Sequence, residues 1–347
     1  MRILVIGGTK FIGPPVLRQL VERGDEVMIY HRGQHEASLP GEICHIHDEA
    51  AAVPVVSFPP AVLRFEPEVV LHMFPVGKED ARAMVQAFCG LQERPRRIVA
   101  ISSQDVYRAA GRLTGWEPGA PEPLPLDEDA PLRSRFYPYG GKLPEPWADR
   151  YEKILAEREL MAAPELPATI LRLPAVYGPG DYVYRFYGYV RRMAEQRPFI
   201  LMSKSQASWR WTHSYVEDVG YAIALAVRDD RAAGRIYNVG EAQTPTWRER
   251  VETLARLMDW PGEIIVLPPQ RMPEHLRDPF NFEQSLVASS NRIRRELGFV
   301  EPVAYEEGLR RTIAWLVASQ PADSASTTHI GRFDYVAEDY AAGWLSS

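Results

Sequence analysis

The sequence predicts an α/β protein in which a doubly wound parallel sheet is joined to a smaller C-terminal α/β lobe. Three observations predict it: a glycine turn links the first apolar run to a helix, apolar runs then alternate with helical periodicity, and the length leaves room for a second lobe. With 347 residues, 46% of them hydrophobic, the chain can bury a large core. The predicted parts are a sheet domain at 1–178, a second lobe with returns to the sheet at 179–318, and a linker with a docking tail at 319–347.

The chain opens with a strand, a glycine-rich turn and a helix. Ile3 to Ile6 form a continuous apolar run, typical of a parallel strand buried on both faces. Gly7 and Gly8 allow a tight turn, and Gly13 removes a side chain where helix and strand meet. Apolar residues then recur at helical spacing from Phe11 to Arg23. This pattern predicts a dinucleotide whose pyrophosphate lies on the turn residues Gly7, Gly8, Thr9, Lys10, Phe11, Ile12 and Gly13.

Further strands and helices alternate along the chain, and this alternation predicts the parallel sheet. The later predicted strands are Val27–Tyr30, Val69–Phe74, Arg97–Ser102 and Thr169–Leu173, and the helices between them are Glu79–Leu91 and Tyr151–Ala163. Residues 111–146 are rich in Pro, Gly and charge and predict a lid-like excursion. The predicted elements after it are a helix from Tyr182, a segment Arg210–Val216, helices Asp218–Arg228 and Tyr305–Val317, a polar linker Ser319–Thr328 and an amphipathic tail Phe333–Trp344.

Composition and charge argue against several classes of protein. The net charge of −6 and the pI near 5.8 disfavour binding to nucleic acid. The apolar runs are shorter than a membrane span, and the chain opens with a strand rather than a signal peptide. Cys44 and Cys89 are isolated thiols, which fits a reducing compartment. We therefore expect a cytoplasmic protein without membrane or nucleic-acid partners.

The histidines near the second and third strands do not predict a metal site. His31 with His35, or His45 with His47, would supply two imidazoles. In neither case does a third ligand follow at a suitable spacing. The sequence therefore predicts loop histidines and no metal.

Six further motifs follow the glycine turn in a recognisable order. They are Ile101–Tyr107 (ISSQDVY), Leu171–Gly180 (LRLPAVYGPG), Tyr215–Val219 (YVEDV), Ile236–Gly240 (IYNVG), Arg294–Gly298 (RRELG) and Glu307–Thr312 (EGLRRT). Together they resemble the extended short-chain dehydrogenases/reductases, the family of sugar-nucleotide epimerases and dehydratases. The resemblance covers almost the whole chain. It implies a Rossmann-like fold, a nicotinamide cofactor, and a homodimer paired through the helices Glu79–Leu91 and Tyr151–Ala163.

The glycine turn departs from the usual GxxGxxG pattern of that family. Lys10 stands where the middle glycine belongs. The turn resembles that of an atypical subgroup with the pattern GGxxxxG, which includes chloroplast stem-loop-binding proteins. Lys10 is either a cation near the phosphates or a solvated lysine at a helix start.

The corner after the second strand favours NADP, with NAD as the alternative. NAD-binding relatives carry an acidic residue there that contacts the adenosine ribose, whereas this chain reads His31-Arg32-Gly33. Without that carboxylate nothing repels a 2′-phosphate, and Arg32 can hold one with its planar fork of donors. Arg32 could instead stack on the adenine or face solvent. The resemblance also implies a contact from Asp48 to the adenine amino group.

The resemblance implies a serine, a tyrosine and a lysine as catalytic residues. Ser103 matches the serine that steadies the substrate oxygen. Lys153 matches the lysine that lowers the tyrosine pKa and holds the nicotinamide ribose. Asp105 stands where dehydratases of the family keep an acid, but its neighbour is Gln104 rather than a second acid. This difference disfavours dehydration.

The position of the tyrosine stays open. Four residues before Lys153 the chain carries Asp149, which is either a base or an ordinary helix-start aspartate. Tyr151 is two residues from Lys153 and would face the opposite side of a regular helix. Either the helix begins irregularly and Tyr151 swings in, or Tyr137 or Tyr139 of the excursion substitutes, or the acid–base chemistry is lost.

The substrate side is less defined. Trp211 occupies the position of an arginine that grips a nucleotide diphosphate in the family, and a one-residue shift would bring Arg210 there. Trp209 and Trp211 could equally stack on a ring or a sugar. Arg271 or Arg277 would supply a second phosphate contact or be a surface arginine.

These residues predict an NAD(P)-dependent epimerase or reductase that transfers hydride at a secondary alcohol of a nucleotide sugar or related polyol. The alternative is a catalytically degenerate NADP-binding regulatory or RNA-associated protein. The acidic charge weighs against RNA, and the retained serine and lysine favour an enzyme.

Overall fold

A parallel sheet of seven strands organises the molecule. The computed structural model describes residues 1–35, 39, 41, 43–48, 53–277, 279–319 and 333–344. Within this part the strands are β1 (Arg2–Ile6), β2 (Glu26–His31), β3 (Cys44–His47), β4 (Val69–His72), β5 (Arg97–Ser103), β6 (Ala168–Leu173), β7 (Ala175–Tyr177), β8 (Phe199–Ser203), β9 (His213–Tyr215), β10 (Ile236–Asn238) and β11 (Glu263–Leu267). The helices are α1 (Gly13–Glu22), α2 (Pro60–Leu63), α3 (Lys78–Cys89), α4 (Arg108–Leu113), α5 (Lys153–Met161), α6 (Tyr187–Ala194), α7 (Lys204–Ser208), α8 (Val216–Arg228), α9 (Trp247–Leu257), α10 (Asn291–Leu297), α11 (Tyr305–Ala318) and α12 (Tyr335–Ala342).

The strand order confirms the predicted doubly wound sheet. The order is β10-β6-β5-β4-β1-β2-β3, and every neighbouring pair is parallel. From β1 the chain first builds outward to β3 and then returns to the other side of β1 with β4. The carboxyl ends of β1 and β4 therefore border the point where the strand order reverses, which is where open α/β sheets bind ligands.

Helices cover both faces of this sheet because its strands are apolar on both sides. Ile3 and Val5 of β1 belong to the core beneath α1 and α8, whereas Leu4 and Ile6 belong to the core beneath α3 and α5. Successive strand residues point to opposite faces, so one continuous apolar run supplies both cores.

The chain after Gly178 builds smaller units and also returns to the sheet. β7 pairs with β9 and β8 with β11, each in parallel, whereas β10 adds to the edge of the central sheet beside β6. The helix expected from Tyr182 begins instead at Tyr187. The Asp181 carboxylate accepts hydrogen bonds from the backbone N–H groups of Val183 and Arg185 and so holds this stretch in a turn.

The excursion and the tail lie near their predicted positions. After α4, residues 114–147, which are all described, form turns and isolated bridges rather than a regular helix or strand. In the tail, α12 docks through Glu338, whose buried carboxylate accepts hydrogen bonds from Arg192. The predicted linker lies outside the described residues, apart from Ser319. None of the helices in the described ranges has the length and apolar character that crossing a bilayer requires.

Candidate active site

The glycine turn packs so tightly that only glycine fits at its key positions. Gly7 and Gly8 have positive φ values of +79° and +93°, and the Gly7 N–H donates to the Tyr30 carbonyl at 2.9 Å. A Cβ at Gly13 would lie 1.9 Å from the Gly8 carbonyl oxygen. The backbone therefore forms a tight cradle at the reversal point of the sheet, in which a side chain at Gly13 would collide with the Gly8 backbone.

The donors of this cradle lie in the turn rather than in the first helical residues. Pro14 and Pro15 have no N–H, and the Gly13 N–H donates to the Lys10 carbonyl at 2.8 Å. The N–H groups from Gly8 to Ile12 are then the backbone donors that this turn offers to a ligand. A cation at Lys10 would compensate for the amides that the two prolines remove.

Lys10, Arg32 and His35 lie close together beside this turn. Burial and the neighbouring Arg32 guanidinium lower the pKa of Lys10. The pKa of His35 is lowered by burial and also by the charges of Lys10 and Arg32. These mutual effects require the three groups to lie close together. Asp48, expected at the adenine, accepts a hydrogen bond from the Tyr30 hydroxyl at 2.9 Å through one carboxylate oxygen.

The expectation that the histidines lack a third partner is contradicted. Parallel pairing of β2 with β3 places His31 opposite His47, and His45 lies on the same face two residues earlier. One ring nitrogen of each lies within 4.8 Å of the others. Spacing along the chain could not show this, because the three residues meet across two strands.

Ser103 and Asp105 lie at the carboxyl end of β5. The Ser103 hydroxyl accepts the Asp105 backbone N–H at 3.1 Å and caps a short 3-10 turn. The hydroxyls of Tyr139 and Tyr151 donate to the same oxygen of Asp105, Oδ2, at 3.1 and 3.0 Å. The other carboxylate oxygen is buried and has no hydrogen-bond partner among the described residues. Phenols and carboxylate therefore form one polar centre beside Ser103.

Tyr151 reaches this centre because the helix begins later than predicted. The structure starts α5 at Lys153 rather than at Tyr151, and Tyr151 and Glu152 are extended, with φ of −69° and −153°. The Glu152 side chain caps the helix by accepting the Ile154 N–H. Among the alternatives that the sequence left open, the structure shows the irregular helix start with Tyr151 turned inward.

The remaining candidates for the proton donor lie outside the polar centre. Tyr137 has 49% of its surface exposed. Asp149 is also exposed, and its carboxylate accepts the Gly141 N–H at 2.8 Å, which makes it part of a loop turn. Of the two excursion tyrosines that the sequence left open, the structure brings Tyr139 to Asp105.

Lys153 lies deeper than the family pattern implies. Its ammonium donates to the carbonyls of Pro75 at 2.6 Å and Ile101 at 3.1 Å, and 3% of the residue is exposed. Burial lowers its pKa to about 8, although nearby carboxylates, including Asp80, oppose this shift. The lysine thus ties the ends of two strands together beneath the polar centre.

The tyrosine pKa is shifted in the direction opposite to the expected one. The resemblance implies that a lysine lowers it. Instead, burial, the negative charge of Asp105 and the neighbouring Tyr139 raise the pKa of Tyr151 well above its usual value, while a hydrogen bond with Ser103 opposes the rise. The Lys153 ammonium lies 5.3 Å from the centre of the Tyr151 ring and donates its hydrogen bonds to the carbonyls of Pro75 and Ile101.

Glu152 joins the excursion to the start of α5. Its carboxylate, fully buried, accepts hydrogen bonds from the Tyr137 N–H at 2.7 Å and the Arg133 guanidinium at 3.4 Å. Arg133 also donates to the Asp105 carbonyl at 2.6 Å. The segments that carry Tyr139 and Tyr151 are thereby fixed to one another and to Asp105.

Aromatic rings that sequence reasoning missed line the same place. Phe74 follows β4 and packs edge-on against Trp147, with ring centres 5.4 Å apart, and Trp147 lies 5.6 Å from Tyr151. The Lys153 ammonium lies 4.7 Å from the centre of the Phe74 ring. The position of Phe74 directly after a buried parallel strand could have indicated a place in the site. No local pattern in the sequence indicated the same for Trp147.

The residues considered for substrate contacts are dispersed. Trp209 is buried and donates its indole N–H to the Gln284 carbonyl, whereas Trp211 is half-buried and Arg210 is exposed. Arg271 donates to the carbonyl of Ala341 in the tail, and Arg277 donates to the carbonyls of Met272 and Gln270. The structure therefore does not bring Arg210, Arg271 and Arg277 together into one phosphate-binding site.

Comparisons with known proteins agree with this architecture. The model of the NAD-dependent epimerase/dehydratase family matches residues 3–240. The chain is 26% identical over 285 residues to the 2′-dehydrokanamycin reductase of Streptomyces kanamyceticus, covering 80% of this chain and 72% of that one. It is 24% identical over 339 residues to the UDP-N-acetyl-α-D-glucosaminuronate decarboxylase of Bacillus cytotoxicus, covering 90% and 97%.

A solved UDP-glucose 4-epimerase from Thermus thermophilus, in complex with NAD, shares the fold. Its TM-score is 0.64 at 22% identity, over 92% of this chain and all of that one. The family match spans the glycine turn, β5 and the start of α5. The chain belongs to the NAD-dependent epimerase/dehydratase family, and it is an enzyme of the extended short-chain dehydrogenase/reductase type.

Proposed function

We propose that this enzyme uses NADP to transfer hydride at a secondary alcohol of a nucleotide sugar or a related polyol, as an epimerase or a reductase. The observation that carries the proposal is the convergence of Tyr139 and Tyr151 on Asp105 beside Ser103. Phenol, hydroxyl and carboxylate at the carboxyl end of a strand are the groups that deprotonate an alcohol or protonate a ketone.

In this proposal Tyr151 passes a proton and Asp105 stores it. In the oxidising direction the Tyr151 oxygen accepts the proton of the substrate hydroxyl while its own proton moves to Asp105 Oδ2. In the reducing direction both transfers reverse. A bound nicotinamide would accept or return the hydride. The raised pKa of Tyr151 supports this division of roles, because a free tyrosinate is disfavoured next to the Asp105 charge.

The residues present fit a dinucleotide. The turn leaves no room for a side chain at Gly13, and the positive φ values of Gly7 and Gly8 fit the tight turn that a bound pyrophosphate requires. Ser103 would steady the substrate oxygen. Lys153 would support the ribose side of the site from beneath, since its ammonium already holds the strand ends together.

The preference for NADP over NAD is supported by charge. Lys10 and Arg32 place two positive charges close together where a 2′-phosphate would lie, and the His31-Arg32-Gly33 corner carries no acid. The Thermus thermophilus neighbour was solved with NAD. We therefore propose that the His31-Arg32-Gly33 corner gives this chain a cofactor preference different from that of the Thermus thermophilus protein.

The proposed substrate class is supported by the relatives, and not by a cluster of arginines that could bind a diphosphate. The name of one describes a reductase of 2′-dehydrokanamycin and that of another a decarboxylase of a UDP-linked sugar acid. Both names describe chemistry on carbohydrates. The non-catalytic alternative is not favoured, since these relatives are enzymes.

The test measures cofactor binding and hydride transfer separately. Calorimetry should show tighter binding of NADPH than of NADH, and Gly13→Ala should abolish both. Gly90→Ala is the control, because a Cβ there would meet nothing closer than 3.4 Å and its φ is −77°. Deuterium from labelled NADPH should then appear in the product of a sugar-nucleotide ketone. Binding of neither cofactor would refute the proposal.

We further propose a homodimer that pairs through α3 and α5. These helices pack side by side on one face of the sheet and would present their outer surfaces to a second copy. Light scattering at several concentrations tests this, and a monomer at all of them would contradict it.

A further inference from the structure

We propose that His31, His45 and His47 form a binding site for a divalent transition-metal ion of the zinc class. One ring nitrogen of each lies within 4.8 Å of the other two. Imidazole nitrogen is a preferred ligand of zinc, nickel and copper, whereas magnesium and calcium prefer oxygen. The donor set therefore selects the chemical class of the ion.

The fold builds this group from an inner strand and an edge strand. β3 is the outermost strand of the sheet, and its register with β2 pairs His31 with His47 and Ile29 with His45. All three imidazoles consequently stand on one face at the carboxyl ends of the strands. His31 is buried, His45 is half-buried and His47 is exposed, so a rigid inner ligand is combined with an outer one that solvent reaches.

The spacing of two ligand atoms is already close to that in a zinc complex. His31 Nε2 and His45 Nδ1 lie 3.1 Å apart and share a hydrogen bond. Two nitrogens on a tetrahedral zinc ion lie roughly 3.3 Å apart, given bonds of about 2.0–2.1 Å. The ion would take the place of the proton between these two nitrogens. His47, whose ring nitrogen lies within 4.8 Å of the other two, would then move closer to become the third ligand.

Binding changes the proton arrangement of His31. Its Nδ1 accepts the Gly33 N–H at 3.2 Å, which leaves the ring proton on Nε2. When Nε2 binds the ion, that proton moves to Nδ1 and the bond from Gly33 is lost. Among the described residues the group has three members, so the fourth position of a tetrahedral ion is left to solvent or to a small ligand.

This site is distinct from the proposed reaction centre. β2 and β3 carry the histidines and β5 carries Ser103, with β1 and β4 between them in the sheet. The ion would act at the adenosine end of the cofactor site, next to Arg32. Its binding can be measured without cofactor or substrate, so a failure of the proposed function would leave this inference standing.

Calorimetric titration of metal-free protein with zinc chloride tests the proposal, with cobalt(II) absorption as the readout of coordination. We expect one zinc ion per chain and no comparable binding of magnesium. His47→Ala should weaken zinc binding by about tenfold or more. His45→Gln provides a second variant in case the first does not fold.

Two controls separate this site from other ligands in the neighbourhood. Cys44→Ser removes the exposed thiol on the opposite face of β3, and His35→Ala removes a histidine outside the group. Both should retain zinc binding. Loss of binding in Cys44→Ser, or unchanged binding in both His47→Ala and His45→Gln, would overturn the proposal.

Discussion

Tyr139 and Tyr151 donate to the same carboxylate oxygen of Asp105, although one lies in the excursion and the other at the start of α5. Their rings also pack together, with centres 5.0 Å apart. The two phenols are therefore parts of one hydrogen-bonded unit. Their surroundings differ because Tyr151 also hydrogen-bonds Ser103.

The first prediction separates the two phenols. Tyr151→Phe should lower kcat by about 100-fold or more, because it removes the group that exchanges a proton with the substrate. Tyr139→Phe should have a smaller effect, since Asp105 then keeps the Tyr151 hydrogen bond. The exposed Tyr137 serves as the matched control, and Tyr137→Phe should react at the normal rate. Steady-state kinetics decide this, and equal rates in all three variants would contradict the assignment.

The second prediction concerns the pH dependence of stability through Lys153. The pKa of this lysine is about 8 in the folded protein and 10.5 in its usual state. Between pH 8 and pH 10.5 the unfolded chain binds more protons than the folded protein, so the free energy of unfolding rises with pH. The contribution of Lys153 to stability is therefore complete above pH 10.5 and is lost as the pH falls through about 8.

Urea denaturation of the wild type and of Lys153→Met measures this contribution. The difference in their free energies of unfolding should shift in favour of the wild type as the pH rises from about 8 to 10.5. Lys78→Met, at an exposed lysine of α3, is the control and should show no such slope. A difference that stays flat for Lys153→Met would show that burial does not perturb this group.

The third prediction tests the cofactor preference. Arg32→Asp should weaken NADPH binding roughly tenfold to a hundredfold, because a charge-assisted hydrogen bond contributes about 1.5–3 kcal/mol. NADH should bind equally well or better. Arg18→Asp introduces the same charge change at an exposed position of α1 and should leave the ratio of the two affinities unaltered. Fluorescence titration with NADPH and NADH measures both affinities. An unchanged ratio of the two affinities in Arg32→Asp would show that Arg32 does not bind a 2′-phosphate.

The fourth prediction concerns the docked tail. Glu338 is fully buried and pairs with Arg192 and His275. Glu338→Ala should lower the free energy of unfolding by about 3–5 kcal/mol, because it removes one partner of a buried ion pair. The double variant Arg192→Met with Glu338→Leu should lose much less. Thermal and urea unfolding of the single and the double variant measure these losses. An equal loss of unfolding free energy in the two variants would show that packing, rather than charge, is the cause.

Local patterns were enough to predict the first βαβ unit. The apolar run from Ile3 leads directly into the glycine turn, and a Cβ at Gly13 would collide with Gly8, five residues earlier. The doubly wound parallel sheet was predicted from the alternation of strands and helices, whereas its strand order was not predicted. These constraints act over short distances and are visible in the chain itself.

The polar centre could not be predicted in the same way. Tyr139 reaches Asp105 only because Arg133 and Glu152 fold the excursion back, and Tyr151 turns inward because Glu152 delays the start of the helix. The histidine group depends likewise on the register between β2 and β3. Tyr139 and Asp105, like His31 and His47, lie far apart in the chain, and spacing alone does not encode their meeting.

Because the Glu152 carboxylate is the common anchor of the Tyr137 backbone, the Arg133 guanidinium and the first turn of α5, the two phenols cannot be repositioned independently. A substitution at Arg133 would remove its hydrogen bonds to Glu152 and to the Asp105 carbonyl. The geometry of both phenols is therefore sensitive to a residue outside the polar centre.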